Sequence, residues 1–229
     1  MRALPATELL SVWESGHNRV PLQRALIMLA AACPEASADS LAQLTIGRRD
    51  AHLLALREST FGSELTGVTD CPECGAKIEL TFNASDIARP PQDEPAKGLA
   101  VQANGREIRF RLPNSADLLA AKSEEELLEL CLLNGSDRLT ENFRAEVGEK
   151  MLRADPIADI HLALNCPNCD HRWEAPFDIV AFLWREISAA AHRLLREVHT
   201  LASAYGWTES EILSLSSPRR HAYLEMVNG

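Results

Sequence analysis

A mainly α-helical fold with a small β part is what this sequence predicts, and three observations carry that expectation. Aromatic residues make up only 5% of the chain while Leu and Ala abound, and those two lose little side-chain freedom in a helix. Apolar residues recur every three to four positions over long stretches, the period of helices with one buried face. The motif Cys-Pro-x-Cys occurs twice, at Cys71 and Cys74 and again at Cys166 and Cys169, each time leading into a short strand-like run. With 46% hydrophobic and 24% charged residues among 229, the chain can bury a substantial core.

From Thr7 to about Leu65, three sets mark the core faces of three short helices: Leu9, Leu10 and Trp13; Leu22, Leu26, Leu29 and Ala30; Leu53, Leu54 and Leu56. Pro21 suits a first-turn position, and His17 and His52 fall at surfaces or helix ends. The run from Arg89 to Gly98 contains Pro90, Pro91 and Pro95, which cannot donate backbone hydrogen bonds, so it reads as an exposed connector. In Glu107 to Leu112 the apolar Ile108, Phe110 and Leu112 alternate with charges, as in a half-buried strand. Asn104-Gly105 reads as its hairpin turn, and Leu99 to Gln102 as its partner strand.

Ser123 to Glu126 is a capping box opening a helix over the apolar run Leu127 to Leu133. Another helix is expected from about Glu141 to Arg153, ending near Pro156. The longest should run from Asp178 to Tyr205, with Leu183, Ile187, Leu194, Val198 and Leu201 along one face, Asp178 as cap and Gly206 as left-handed stop. Its length would be about 40 Å. Thr208 to Glu211 is a second capping box before Ile212 and Leu215, and Ser217-Pro218 starts the last helix.

Met1 to Ala6 has no apolar run of the secretory kind, and the longest apolar stretch, Ala25 to Cys33, is short of the ~20 residues of a membrane helix. The expectation is a cytoplasmic protein without membrane contact, whose cysteines hold metal or stay buried as thiols. Cys33 and Cys131, in Leu- and Ala-rich surroundings, read as packing residues. A Cys-Pro-x-Cys turn aims both sulfurs at one point and supplies half of a tetrahedral thiolate set, so Cys71, Cys74, Cys166 and Cys169 are the predicted ligands of one structural Zn2+. The flanks repeat with an offset of 95 residues: Lys77 matches Arg172, Glu79 matches Glu174, and Phe82 matches Phe177. Two pseudo-equivalent hairpins can therefore face each other across one metal as a split zinc ribbon. Two dithiol redox pairs or an iron-sulfur cluster are the alternatives, and strand-like flanks disfavour the redox pair, which normally opens a helix. His171 reads as a surface residue beside a complete set of four.

Four thiolates leave no open position, which marks a structural rather than a catalytic site. The sequence contains no Gly-rich phosphate loop, no His-Glu-x-x-His and no recognisable Ser/His/Asp context, so the chain reads as non-enzymatic, with no catalytic residues. Glu124, Glu125 and Glu126 read as a solvated helix start. The net charge of -10 opposes general affinity for nucleic acid. A zinc-ribbon nucleic-acid adaptor is nonetheless the second reading, with Arg106, Arg109, Arg111, Arg48, Arg49, Arg219 and Arg220 as phosphate contacts.

Several segments resemble a known family: Gly47-Arg-Arg-Asp-Ala-His-Leu-Leu-Ala-Leu-Arg57 with Phe61-Gly62, both Cys-Pro-x-Cys knuckles, Arg111-Leu-Pro-Asn-Ser-Ala-Asp117, Ala154-Asp-Pro-Ile-Ala-Asp159 and Tyr205-Gly-Trp-Thr-Glu-Ser-Glu-Ile-Leu213. They look like the zinc-ribbon proteins encoded beside baseplate genes of contractile phage tails and phage-tail-like injection systems, with distant similarity to T-even phage baseplate and hub-assembly proteins. The resemblance implies a non-catalytic baseplate subunit or assembly factor, with baseplate, hub or spike components as partners and a place in an assembled phage-tail-like particle. The expected organisation is an N-terminal helical region over 1–66, a first ribbon half over 67–88 and an inserted strand-and-helix lobe over 89–160. A second ribbon half over 161–177 and a helical C-terminal region over 178–229 complete it. The outer face of the long helix and Tyr205-Gly206-Trp207 are its candidate contact elements, although those aromatics read first as core.

Overall fold

The computed structural model describes residues 2–87, 98–103, 106–134 and 141–228. Of the connector expected from Arg89 to Gly98, residues 89–97 lie outside the described residues, as does the Asn104-Gly105 turn. The N-terminal region forms four helices rather than three: α1 (Ala6–Gly16), α2 (Pro21–Ala32), α3 (Ala38–Ala42) and α4 (Ile46–Phe61). The additional α3 is too short to show a helical period. It is started by Ser37, whose hydroxyl accepts the Ser40 N–H at 3.1 Å. Pro21 occupies the first turn of α2 as expected.

After α4 the chain turns at Gly62, φ 95°, into β1 (Glu64–Asp70). This strand pairs antiparallel with β2 (Lys77–Asn83), and one helical turn, α5 (Ala84–Ile87), follows. The inserted lobe comprises β3 (Leu99–Ala103), β4 (Arg106–Phe110), α6 (Ser115–Ala120), α7 (Glu124–Cys131) and α8 (Glu141–Ala154). β3 and β4 pair antiparallel. Alternation puts Val101, Ile108 and Phe110 on one face, where they join Leu128, Phe143 and Val147 in a small core of their own. The lobe is tied back to α4 by the Ile46 N–H, which donates to the Pro113 carbonyl at 3.2 Å. Asn114 Nδ2 also donates to Gln43 Oε1 at 2.9 Å.

A 3-10 turn at Pro156–Ala158 leads into β5 (Ile160–Asn165) and β6 (Arg172–Phe177), a second antiparallel hairpin. Its register superposes on the first under the 95-residue offset: Asp70 opposite Lys77 corresponds to Asn165 opposite Arg172, and Leu65 opposite Phe82 corresponds to Ile160 opposite Phe177. The long helix α9 (Ile179–Tyr205) follows. Asp178 Oδ1 caps it by accepting the Val180 and Ala181 N–H groups at 2.8 and 3.1 Å, and Gly206 ends it at φ 69°. Its apolar face, with Leu183, Ile187 and Leu201 fully buried, packs against α1, α2 and α4. Together with Met28, Leu29, Leu53, Leu54 and Leu56 it forms the main core, each such side chain contributing about 1.5–3 kcal/mol. α10 (Glu209–Ser214) and α11 (Ser217–Asn228) fold back on α9. There Arg220 Nε donates to Glu197 Oε2 at 2.8 Å.

Candidate metal centre

Each Cys-Pro-x-Cys segment turns the chain between the strands of its hairpin by the same backbone pattern. The Cys71 N–H donates to the Ala76 carbonyl and the Gly75 N–H to the Cys71 carbonyl, both at 2.9 Å; the Cys166 N–H donates to His171 at 2.8 Å and the Asp170 N–H to Cys166 at 2.9 Å. The fifth residue of each loop needs a left-handed backbone. Gly75 supplies it at φ 70° and Asp170 at φ 57°, aspartate being one of the few other residues that enter this region readily.

The four sulfurs, on segments 95 positions apart, meet. Cys71 Sγ lies 3.8 Å from Cys169 Sγ and Cys74 Sγ lies 3.6 Å from Cys166 Sγ, and all four fall within 4.8 Å of one another. A tetrahedron of thiolates around zinc, with Zn–S near ~2.3 Å, has edges of about 3.8 Å, so the set has the size a single ion of that kind requires. None of these four cysteines is in a disulfide; Cys71 and Cys166 are buried, Cys74 and Cys169 exposed. Ile78, Ala76, Leu80 and Trp173 pack around the buried pair.

Thiols this close share their protons unequally. The Ala76 backbone N–H, then the Asn168 amide 3.6 Å away, lower the Cys74 thiol to about 6. The His171 backbone N–H favours the Cys169 thiolate, but desolvation and the three neighbouring sulfurs outweigh it and push that thiol up to about 12. Four negative sulfurs in one place need a cation to neutralise them, and four converging thiolates can hold one. His171 stacks on Trp173 with ring centroids 5.8 Å apart.

Residues 6–136, more than half of the chain, match the family model described as T4 bacteriophage base plate protein. The chain belongs to that family. No curated protein and no solved structure matches it. The matched span runs from α1 through the first knuckle to the end of α7, so the T4 base-plate family likeness includes Cys71 and Cys74, while Cys166 and Cys169 follow from the register shared by the hairpins.

Within the base-plate family span, the segments that resembled baseplate proteins turn out to fasten the molecule together. The Gly47 N–H donates to Asp155 Oδ2 at 2.8 Å, and a Cβ at position 47 would lie 1.8 Å from Asp155 Oδ1. Any larger residue there forces the Asp155 side chain to move. Arg111 forks onto Asp117 at 2.5 and 2.8 Å, and Asn114 with Asp117 forms a reciprocal capping box that starts α6. Arg57 forks onto Glu186 of α9 at 2.7 and 2.9 Å and donates to the Gly62 carbonyl.

Several arginines assigned to phosphate contacts in the adaptor reading are engaged in this way. Arg49 is buried against Asp50, Arg220 is buried against Glu197, Arg111 holds Asp117 and Arg109 pairs with Glu107. Phe110 is fully buried, so β4 offers no ring for stacking bases. A signal for Asn114 and Asp117 was present in their spacing. For Asp155 and Glu186, 108 and 129 residues from their partners, no local signal existed. Tyr205 is exposed, and it stacks on Trp207 at 4.7 Å with Tyr223 edge-on to both. No helix among the described residues is long and apolar enough to cross a membrane.

Proposed function

We propose that the chain is a non-enzymatic structural or assembly protein of a phage-tail baseplate or related contractile injection system, stabilised by one Zn2+ bound by Cys71, Cys74, Cys166 and Cys169. Membership of the T4 base-plate family carries the first half of this reading. The convergence of four thiols within 4.8 Å supports the second. The ion would supply charge neutralisation and a rigid joint between chain segments far apart in sequence.

In this reading the halves 67–88 and 161–177 form a split zinc ribbon. It joins the helical regions 1–66 and 178–229 and carries the lobe 89–160. The protein is made in the cytoplasm, and its partners are baseplate, hub or spike proteins. Its work is done by shape, through surfaces held at fixed angles by the joint. Purification of the tagged chain from its native host, with mass spectrometry of both the soluble complex and finished particles, tests this. Baseplate proteins in the complex are expected, and presence in finished particles marks a subunit rather than an assembly factor. Co-purification of RNA polymerase or ribosomal proteins instead would overturn the reading.

A further inference from the structure

The two hairpins are related by the 95-residue offset, so each has an equivalent groove where it meets the other, and the two grooves are covered differently. In one, Phe182 of α9 sits against β1 and β6. Its Cε2 would lie 3.9 Å from a Cβ at Gly67, and its ring centroid is 5.5 Å from that of Phe177. Arg57 and Arg185 each lie 5.7 Å over the Phe182 ring. That groove is closed by an aromatic side chain with cations above it.

Under the same offset Gly67 becomes Leu162, Phe177 becomes Phe82, and the first turn of α9, Ile179–Phe182, becomes α5, Ala84–Ile87. Ile87 therefore stands where Phe182 stands, and among the described residues no counterpart of the rest of α9 follows. What remains is a groove of about 420 Å³ between β2 and β5. Leu80, Phe82, Ile87, Leu162 and Leu164 line it and are only half-buried. Its rim carries the carboxylates of Glu79 and Asp86 and the imidazole of His161, which lies 3.6 Å from Asp159; neither Glu79 nor Asp86 has a cationic partner among the described residues, and Asp86 Oδ2 accepts the Asn83 N–H at 2.9 Å. The floor is apolar, and the rim offers two carboxylates, with His161 already beside Asp159.

We propose that this groove receives one amphipathic helix of a partner base-plate protein. That helix seats a bulky apolar side chain against Phe82 and Leu162 and presents a Lys or Arg one turn away to Glu79 and Asp86. The inference rests on the base-plate reading for the partner's class. The groove itself rests on the equivalence of the two hairpins, the half-buried apolar floor and the carboxylates at its rim. Helix-in-groove docking of this kind is read through anchors one turn apart.

The test uses the full chain expressed in its native host with the photocrosslinking residue benzoylphenylalanine at Thr81, an exposed residue lining the groove. A second version carries it at Ser203, exposed on α9. Crosslinked peptides are identified by mass spectrometry. The expected result is that Thr81 crosslinks to a base-plate protein within a helical segment carrying Lys or Arg beside an apolar anchor, and that Glu79→Arg with Asp86→Arg lowers the yield about tenfold.

A Thr81 crosslink to such a helix in a protein of another class keeps the groove and overturns the base-plate reading. Base-plate crosslinks from Ser203 with none from Thr81 overturn the groove and keep the reading. Crosslinks from Thr81 to an extended segment, to a second copy of this chain or within the chain itself overturn the proposal, as does failure at both positions.

Discussion

The helical body around α9 buries Met28, Leu29, Leu53, Leu54, Leu56, Leu183 and Ile187 almost completely, whereas the two hairpins bury Leu65, Ile78 and Ile160 and leave most of their remaining apolar residues half-exposed. A two-stranded hairpin without a third strand or a closed apolar face is marginal in water. The body is therefore held by an apolar core, and in the proposed reading the hairpins are held by the ion their four thiols bind. The hairpins contribute β1, β2, β5 and β6, while α1, α2, α4 and α9 supply most of the main core.

The sharpest way to separate the two regions is to challenge the proposed metal. If Zn2+ joins the hairpins as proposed, chelation or Cys166→Ser withdraws from them a binding contribution on the order of 10 kcal/mol. Hydrogen exchange should show the amides of β1, β2, β5 and β6 losing protection, while far-UV circular dichroism retains most of the signal of the helical body. Loss of both together would mean that the body has no stability apart from the joint.

Leu183→Ala attacks the other side of the comparison. With its side chain fully buried on α9, truncation should destabilise by about 4 kcal/mol in urea unfolding while leaving the metal stoichiometry unchanged. Gly47→Ala comes next, at about 3 kcal/mol, because the added methyl group collides with Asp155 Oδ1 and displaces the bond to the Gly47 N–H. An unchanged unfolding midpoint for this variant would refute the fastening role of that contact.

Much of this division was legible in the sequence. The cysteine spacing, the repeated flanks, the limits of α9 from its Asp178 cap to its Gly206 stop, and the capping box at Thr208 are local patterns with local physical causes; of the box expected at Ser123 only the hydroxyl half forms, because the Glu126 carboxylate accepts the Lys122 N–H instead. The contacts of Gly47 with Asp155 and of Arg57 with Glu186 were not legible, because nothing local marks residues that meet across more than a hundred positions. The arginines misled for a different reason: Arg49, Arg111 and Arg220 have their carboxylates close by in sequence, at Asp50, Asp117 and Glu197, but sequence spacing alone does not show that they pair, nor that Arg49 and Arg220 are buried. α3 was missed because five residues display no period, and α6 because its box uses Asn114 and Asp117 in place of Ser and Glu.

A smaller effect concerns acid. Burial would raise the Asp117 carboxyl, but the Arg111 guanidinium and the Asn114 N–H more than offset it and hold it below its ordinary 3.8. A group depressed in the fold contributes stability that is fully present above its unfolded value and lost as pH falls through the folded one. The stability difference between the native chain and Asp117→Asn should therefore be largest at neutral pH and shrink below about pH 4. A difference independent of pH would show that the carboxylate charge is not what the site uses. The smallest expected change is Thr208→Ala. It removes the hydroxyl that accepts the Glu211 N–H and should lower the unfolding free energy by about 1 kcal/mol, with the ribbon's exchange unaltered.

The most direct test of the account is the metal content of the chain purified without chelator from its native host, measured by elemental analysis beside a thiol count. One zinc per chain, with Cys71, Cys74, Cys166 and Cys169 protected from alkylation until chelator is added, is the predicted result. A folded chain with no bound metal and those four thiols freely alkylated, or with iron and inorganic sulfide in place of zinc, would contradict it.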